Sequence, residues 1–402
     1  MEEFDPKIFD QYAKLPILTL VVTGRTGSDF FQSLLDGHPE IAQVAGNWDF
    51  HMFWEEAHCK EDLDDLIWEF IWFRWRTRSL LFKFESAYDK QERLDCMGPE
   101  QNESYSISRE KFHSYCKQAL EGKELNSHNF FIAVHLAYEF AKGNDPSKTK
   151  LLLYHIHHIE RLARFKRYIP KFEVLCTIRD PRSTLISGME NWKRYNPETF
   201  MARRYCFLLD RILSEAQAIH QYTDKVKTLK LENLHLKRFQ VFKEICNQYG
   251  IEYRDSLFVS TFNGKLWWGD RVSVSPINGF RDKIDDNLKW PGRFFKIERW
   301  ILESVLEDRL QANDYPMIQD RIQRKIISLC TPILVWLPFK YEITIFKHHW
   351  PNKKTWLQKL RFMASTTINY ISRVKLILSH RKLKLSGKQI ITDGYALDAS
   401  DG

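Results

Sequence analysis

The stretch that most constrains the fold is residues 17–38, ILTLVVTGRTGSDFFQSLLDGH. It opens with a β-branched and aliphatic run at 17–22, passes through a turn with two glycines, and continues with apolar residues at helical spacing until Gly37. A strand, a glycine turn and a helix in this order direct backbone N–H groups at one place, and the helix start adds about half a positive charge. The stretch predicts a phosphate or sulfate site, and an ordinary strand–helix connection is the alternative.

The turn also supplies side chains that suit an anion. Arg25 adds a full positive charge, and Thr26 and Ser28 add hydroxyl donors. The predicted anion-binding residues are Gly24, Arg25, Thr26, Gly27, Ser28 and Asp29. No Gly-Lys-Ser or Gly-Lys-Thr follows the glycines, so the turn is not a Walker loop.

Two separate motifs resemble one enzyme family. Residues 25–39, RTGSDFFQSLLDGHP, resemble the 5′-phosphosulfate loop of sulfotransferases that use 3′-phosphoadenosine 5′-phosphosulfate (PAPS), commonly R-S-G-T-T-L-L-x-x-L-L-x-x-H-P. A strand at 172–178 leads into RDPRSTLIS, which resembles the family's 3′-phosphate motif R-D-P-R-x-x-x-x-S. The resemblance covers about residues 15–321. It implies that Arg179 and Ser187 bind the 3′-phosphate, and we expect Arg182 to pair with a carboxylate or to pack.

A third stretch, TFNGKLWWGDR at 261–271, is similar to a loop that carbohydrate-type sulfotransferases fold over the cofactor. That loop often reads T-F-x-G-K-x-W-W-G-N-S, so the resemblance adds Lys265 and Trp268 to the predicted cofactor-binding residues. Asp270 stands where relatives have Asn. Taken together, the motifs resemble the carbohydrate and tyrosylprotein types of PAPS-dependent sulfotransferase.

The chain departs from the family where relatives place reactive groups. Gly46 stands near the catalytic Glu of carbohydrate sulfotransferases, and Tyr154 stands at a Lys that contacts the sulfuryl group in many relatives. We predict a substitute general base, His51 ahead of Asp49, with His155 as a further candidate. The alternatives are structural roles for these side chains and, for the histidine-rich stretch after the strand, a helix cap.

Asp29 is unusual, because relatives have Ser or Thr there and a carboxylate would repel a phosphosulfate. Two interpretations stay open. Asp29 caps its own helix and faces away from the ligand, which its position favours, or it acts as a base. Arg25, in contrast, would stabilise the leaving phosphate, which gives it a catalytic role.

Strands alternating with helices predict an α/β fold, a three-layer parallel sheet flanked by helices. The resemblance implies the P-loop NTPase-like sulfotransferase fold. We expect a lead-in at 1–14, a sulfotransferase domain at 15–320 that contains a helical insertion at 57–149, and a basic, aromatic C-terminal extension at 321–402. Because ligands of such sheets bind beyond the carboxyl ends of the strands, both phosphate motifs can grip one PAPS molecule.

The predicted activity is in-line transfer of a sulfuryl group from PAPS to a hydroxyl or amine acceptor, with a carbohydrate or lipid-linked acceptor favoured. One alternative is a non-catalytic PAPS- or nucleotide-binding relative, which the residues at 46 and 154 favour. Another is a P-loop-type kinase, which the missing Walker lysine opposes. No metal site is predicted, because no second ligand cluster matches the histidines in spacing.

Composition adds limits on compartment and partners. The seven scattered cysteines suggest no disulfide framework, and the acidic N-terminus lacks an apolar core, so we expect a cytoplasmic protein. Residues 321–402 hold 15 Lys and Arg against 4 Asp and Glu, whereas the whole chain has a net charge of +8. The nearly neutral body argues against nucleic-acid binding.

The basic extension carries aromatic residues and a predicted helical stretch at 353–384. Its apolar positions in helical register are Leu357, Leu360, Met363, Ile368 and Ile371. Two interpretations stay open: peripheral contact with an anionic membrane, or packing of this apolar face on the body with the lysines in solvent.

Overall fold

The computed structural model describes residues 5–22, 24–45, 48–57, 60, 62–73, 81–83, 93–157, 161–195, 205–213, 226–270, 278–281 and 290–385. Its centre is a parallel sheet with the strands β1 Ile17–Val22, β2 Ile41–Gln43, β3 Leu151–Ile156, β4 Glu173–Ile178 and β5 Val226–Lys230. The order across the sheet is β2-β3-β1-β4-β5, so β1 lies in the middle. A short antiparallel hairpin joins β6 Thr261–Phe262 to β7 Lys265–Leu266.

Helices surround the sheet and extend beyond it. They are α1 Pro6–Tyr12, α2 Ser28–Leu35, α3 Phe50–Ala57, α4 Leu63–Trp72, α5 Arg109–Leu120, α6 Ser127–Lys142, α7 Leu162–Tyr168, α8 Pro181–Tyr195, α9 Leu231–Leu236, α10 Arg238–Tyr249, α11 Lys296–Val305, α12 Glu307–Ala312, α13 Arg321–Leu334, α14 Lys340–His349 and α15 Trp356–Leu385. Residues 205–213 are also helical. Helices α4, α5 and α6 lie within the segment predicted as a helical insertion, and α15 is one helix that covers most of the predicted helical stretch at 353–384.

Side chains that alternate along each strand build two apolar layers. Leu18 and Leu20 of β1 belong to a cluster with Phe31 of α2 and Phe242 of α10. Val21 of β1 points to the opposite face and joins a larger cluster that includes residues of α3 to α7. Helices therefore cover both faces of the sheet, which confirms the predicted three-layer α/β fold.

The sheet topology explains where a ligand fits. From β1 the chain moves to one side for β2 and β3, and then crosses to the other side for β4 and β5. The connections that follow β1 and β4 diverge at this switch point, where α/β sheets open a crevice at the carboxyl ends of their strands. Both predicted phosphate motifs begin at this edge.

A further apolar cluster joins α8 to the C-terminal helices. It combines Leu185 and Met189 of α8 with Ile301 of α11, and it also includes Phe339 and Ile377 from the predicted extension. The boundary predicted at residue 320 therefore runs through one packed cluster. No helix among the residues that the structure describes is long and apolar enough to cross a membrane.

Candidate active site

The turn after β1 has a backbone that few residues tolerate. Gly24, Arg25 and Gly27 have φ angles of 76°, 55° and 83°. A Cβ atom on Gly27 would approach Leu231 Cδ1 to 2.4 Å, so this glycine is required both for its conformation and for its close packing. Helix α2 begins at Ser28, and no side chain hydrogen-bonds to its first turn as an N-cap. The N–H groups at this helix start therefore face the turn as an anion site needs.

The two phosphate motifs are joined by a buried hydrogen bond. Thr26 Oγ1 lies 2.9 Å from Thr177 Oγ1, and both residues are almost fully buried. Thr177 lies two positions before Arg179 and is aligned with Val22 in the pairing of β4 with β1. The first turn and the start of the second motif thus occupy neighbouring places on one sheet edge.

The loop around the β6–β7 hairpin reaches the first turn. Arg25 Nη2 donates to Asp270 Oδ2 at 2.7 Å, and both side chains are about one fifth exposed. The predicted cofactor residues Lys265 and Trp268 instead bind the insertion, where Lys265 pairs with Glu103. The indole of Trp268 donates to the carbonyl oxygen of Gly98 at 2.7 Å. The third motif therefore meets the first turn through Asp270.

Asp29 does not cap its helix, which corrects the interpretation that its position favoured. The N-cap residue is Gly27, and the Asp29 carboxylate lies 3.6 Å from His157 Nε2 and 3.8 Å from His155 Nδ1. Burial opposes ionisation, yet the hydrogen bond and charge of His157, together with His155 and Arg25, hold the pKa of Asp29 well below its usual range. The carboxylate therefore carries its charge at neutral pH.

The two histidines differ in environment. His155 is 1% exposed, and its Nδ1 atom lies 2.8 Å from the Oε1 atom of Gln32. Burial, with a further contribution from His157, lowers the pKa of His155 to about 3, so this ring is neutral. His157 retains about one quarter of its side-chain exposure. Neither ring caps α7, whose N-cap residue is Arg161, so the helix-cap alternative is wrong for both.

Arg211 is a candidate that the sequence did not reveal. It lies in the helical residues 205–213, and its side chain donates to the carbonyl oxygen of His157. A Cβ atom placed on Gly24 would lie 3.5 Å from the Arg211 guanidinium. A second arginine therefore borders the first turn, 186 positions after Arg25 in the sequence.

In the second motif, one arginine is fully buried and the other is half-buried. Arg182 is fully buried; it binds Asp180 through two nitrogens and Glu303 Oε1 at 2.7 Å, which confirms the prediction that it pairs with a carboxylate. Arg179 and Ser187 are only half-buried. Burial raises the pKa of Glu232, and the charge of Arg179 opposes that change, so these two groups are electrostatic neighbours.

The other predicted bases are placed less well for proton transfer. His51 is fully buried in α3, and its Nδ1 atom lies 3.5 Å from the hydroxyl of Tyr154. Asp49 forms an ion pair with Arg161. Tyr154 also accepts from the backbone N–H of Phe50 at 3.1 Å, so the family's lysine position holds a buried, neutral group. Gly46 lies outside the described residues.

The structure also brings together three side chains that can bind a metal, although their sequence spacing did not indicate it. Asp29, His155 and His157 place one ligand atom each within 4.8 Å of one another. The third ligand comes from α2, more than a hundred residues before the histidines. The cluster is small enough to surround one ion, yet it borders a helix N-terminus and Arg25, which favour an anion.

A sequence model described as Sulfotransferase family matches residues 16–255, which is more than half of the chain. The chain belongs to the sulfotransferase family. This result confirms the resemblance stated from the motifs, and the matched region contains β1 to β5, both phosphate motifs and the histidine cluster. The carbohydrate or tyrosylprotein subtype stays a prediction.

Solved structures include two sulfotransferase domains similar to this sulfotransferase. The domain from the Synechococcus PCC 7002 olefin synthase is 15% identical, with a TM-score of 0.38 over 69% of this chain and 87% of that domain. The domain from the curacin biosynthetic pathway is 13% identical, with a TM-score of 0.34 over 78% of this chain and 97% of that domain. A search of curated proteins found no significant match.

Proposed function

We propose that this sulfotransferase transfers a sulfuryl group from PAPS to a hydroxyl of its acceptor. The observation that carries the proposal is the Thr26–Thr177 hydrogen bond, because it joins two anion motifs at neighbouring strand ends. A donor with one anionic group at its 5′ end and another at its 3′ position matches two such motifs. ATP lacks the 3′-phosphate that the second motif would bind.

The residues divide between the two ends of such a donor. The 5′-phosphosulfate would contact the first turn, where the start of α2 and Arg25 supply N–H donors and charge, with Arg211 beside Gly24. The 3′-phosphate would contact Arg179, whose forked guanidinium suits a phosphate. When bound, PAPS would supply the sulfuryl group, and every other requirement of the reaction rests on the protein.

We assign proton transfer to His157, with Asp29 as the positioning residue. Unlike His51 and His155, His157 combines partial exposure with an ionised carboxylate at 3.6 Å. The acceptor O–H bond breaks as its oxygen forms a bond to sulfur, and His157 accepts that proton. The S–O bond to the phosphate breaks, and the leaving group is adenosine 3′,5′-bisphosphate. The charge of Asp29 orients the imidazole and stabilises the imidazolium that forms.

The donor assignment is tested with nucleotides alone. Adenosine 3′,5′-bisphosphate should raise the melting temperature, and 5′-AMP should raise it far less, because only the first ligand engages Arg179 and Ser187. Adenosine 2′,5′-bisphosphate is the matched control, since it has the same charge with one phosphate moved. Equal shifts with all three nucleotides would contradict the assignment of the second motif.

A second candidate function is PAPS binding without catalysis. The observation that favours it is Tyr154, which places a buried hydroxyl where many relatives have the lysine that contacts the sulfuryl group. Incubation with radiolabelled PAPS and a mixed acceptor extract separates the two functions, because a binder leaves the label on the nucleotide. Transfer of label from radiolabelled ATP instead would indicate a kinase. Acceptors with carbohydrate and lipid-linked hydroxyls should be screened first.

A further inference from the structure

Helix α13 presents its apolar residues to solvent. Four large aliphatic side chains at helical spacing form one stripe along the helix, and each is more than half exposed: Ile322, Ile326, Leu329 and Ile333. Successive members are three or four positions apart, so they share one face. A helix in contact with solvent normally has the opposite arrangement.

The opposite side of α13 is held to the body by polar groups. Arg324 is buried, and its Nε atom donates to Glu307 Oε1 at 2.8 Å. Ser304 of α11 donates to the carbonyl oxygen of Arg324 at 3.4 Å, and Thr331 is also buried. The exposed stripe is therefore fixed by specific contacts of the other face, which orient its aliphatic residues outward.

Helix α15 adds a second exposed apolar surface. The five positions that the sequence put in helical register are all exposed, between 38% and 64%: Leu357, Leu360, Met363, Ile368 and Ile371. The interpretation that this face packs on the body is wrong for these residues. Arg381 of α15 donates to the carbonyl oxygen of Ser328 in α13 at 2.9 Å, and the Tyr370 ring lies tilted beside the ring of Trp336, just after α13, with 6.4 Å between the centroids, so the two helices adjoin.

Basic residues lie among the exposed aliphatic ones. Lys325 is three positions after Ile322 and four before Leu329, so it shares the face of the α13 stripe. Lys375 follows Ile371 by one turn on α15, and both lysines are exposed. In residues 321–385 the single acidic residue is Glu342, which is buried against Arg373. The exposed charge of this region is therefore positive.

We propose that α13 and α15 dock this enzyme on an anionic phospholipid membrane. The exposed aliphatic residues and Trp336 and Trp356, which are 53% and 72% exposed, suit the boundary between headgroups and acyl chains. The lysines suit the negative surface, where they keep their charged ends in water. A second copy of the chain is a poorer occupant, because two like-charged basic surfaces would repel each other. The proposal concerns a region outside the candidate active site, so it holds whether or not PAPS is the donor.

The test is co-sedimentation of the full chain with vesicles. Phosphatidylcholine vesicles should bind weakly, and an equal mixture with phosphatidylglycerol should bind strongly at low salt. Added salt should release the protein, because exposed charges are screened within about 10 Å at 0.1 M. The double change Leu329→Ser and Ile333→Ser should reduce partitioning about tenfold or more, since two aliphatic side chains no longer enter the interface.

A matched control uses exposed apolar residues of α9 and α10. Leu236 and Phe239 are 56% and 60% exposed, and changing both to Ser should leave vesicle binding unchanged. A charge-only pair, Lys325→Gln with Lys375→Gln, retains the apolar surface and should reduce binding about fivefold for each lysine. Lys111→Gln with Lys243→Gln is its control, because both residues are exposed elsewhere.

Three outcomes would overturn the proposal. Equal binding to neutral and mixed vesicles would show that positive charge does not drive the binding. Unchanged binding of both test pairs would show that α13 and α15 are not the docking surface. A dimer in sedimentation that the serine pair converts to monomer, without vesicle binding by the parent, would make the surface an interface between copies. Circular dichroism of each variant checks the fold, and the charge-only pair decides the matter if the serine pair does not fold.

Discussion

The two phosphate motifs pair arginine with carboxylate in different ways. In the first, Arg25 reaches across 245 positions to Asp270, and both side chains keep contact with solvent. In the second, Arg182 is fully buried between Asp180 and Glu303, and its guanidinium lies 4.0 Å from the centre of the Trp290 ring. A competing anion can replace the partner of a partly exposed arginine, whereas opening the buried group would leave unpaired charges in the interior. The first pair suits ligand exchange, and the second suits a scaffold for Arg179.

The largest expected effect comes from removing the proposed base beside the first motif. We expect His157→Asn to lower turnover at saturating PAPS by roughly 100- to 10,000-fold, because a positioned base contributes about that factor. Binding of adenosine 3′,5′-bisphosphate should change much less. His348→Asn, at an exposed position of α14, is the control.

Two results would replace this assignment. Near-normal turnover of the His157→Asn protein would return the role to His51 or Asp49. Loss of turnover on dialysis against a chelator, restored by Zn²⁺, would make the Asp29–His155–His157 cluster a metal site instead.

The buried pair of the second motif should matter for folding. Arg182→Ala removes the partner of Asp180 and Glu303 and should lower the free energy of unfolding by about 3–5 kcal/mol. Arg179→Ala, three positions earlier and half-buried, should change it by well under 1 kcal/mol. Urea unfolding compares the two proteins. Similar losses of unfolding free energy from both changes would contradict the assignment of a structural role to Arg182 and of a ligand-binding role to Arg179.

The pH dependence of stability gives a second test of a buried carboxylate. Glu298 of α11 is buried, and its hydrogen-bond donors are uncharged. Lys340 N donates to Glu298 Oε2 at 2.9 Å, and burial raises the pKa of Glu298 to about 7 despite this and its other hydrogen bonds. Since the folded pKa lies above the unfolded one, this group contributes stability below pH 4.5 that is lost as the pH rises to about 7. The loss should be about 3 kcal/mol.

Unfolding free energies at pH 5 and pH 7.5 measure this contribution. Glu298→Gln should flatten the difference between the two values, whereas Glu121→Gln, at an exposed position, should not. If the free energy of unfolding changed between the two pH values by the same amount in the parent protein and in the Glu298→Gln variant, the pKa of Glu298 would not be raised.

Ligand affinity should separate Arg25 from Arg179, the two arginines assigned to the ligand. Arg179→Ala should weaken binding of adenosine 3′,5′-bisphosphate about 10- to 150-fold, the equivalent of roughly 1.5–3 kcal/mol for a charge-assisted contact. If the proposed function holds, Arg25→Ala should also lower turnover at saturating PAPS, because the proposal assigns its charge to the leaving phosphate. Calorimetry and initial rates measure both effects, with Arg254→Ala as the control. An Arg179→Ala protein with lower turnover and unchanged affinity would reverse the assignment of the motifs.

The smallest expected effect concerns the partner of Arg25. Asp270→Asn removes the carboxylate that competes with the ligand for this guanidinium, so affinity for adenosine 3′,5′-bisphosphate should rise by less than about tenfold, in line with a partly exposed ion pair. Asp308→Asn is a control on α12. Weaker binding by the Asp270→Asn protein would show that the pair positions Arg25 for the ligand.

Local patterns predicted much of this fold. Apolar runs located β1 and β4, the segment that holds α4, α5 and α6 was expected to be helical, and the order of the two motifs placed both at one sheet edge. Each of these features depends on neighbours within about twenty residues. The role of Arg182 was also accessible, because a buried arginine needs a carboxylate and Asp180 is close by in the sequence.

The candidate site depends on contacts that no local pattern contains. Asp29 meets histidines more than a hundred positions away, and helix-start preference alone suggested a cap. Arg211 reaches the first turn from a helix that no motif marks. The apolar residues of α13 have ordinary helical spacing, and only the tertiary contacts of Arg324 show which face meets the body. Sequence reasoning therefore found Asp29 and His155, and it missed Arg211 and the contact between Asp29 and the histidines.

The cluster that joins Leu185 of α8 to Ile377 of α15 also has a consequence for synthesis of the chain. All five strands of the sheet are complete at Lys230, whereas Ile377 is added 147 residues later. At ribosomal rates this gap lasts roughly 7 to 30 seconds. During this interval α11 to α14 are added in turn, and the cluster around α8 stays incomplete until Ile377 follows, so a nascent chain exposes apolar surface beside α8. Slower translation of the last helices would therefore favour capture by chaperones or aggregation.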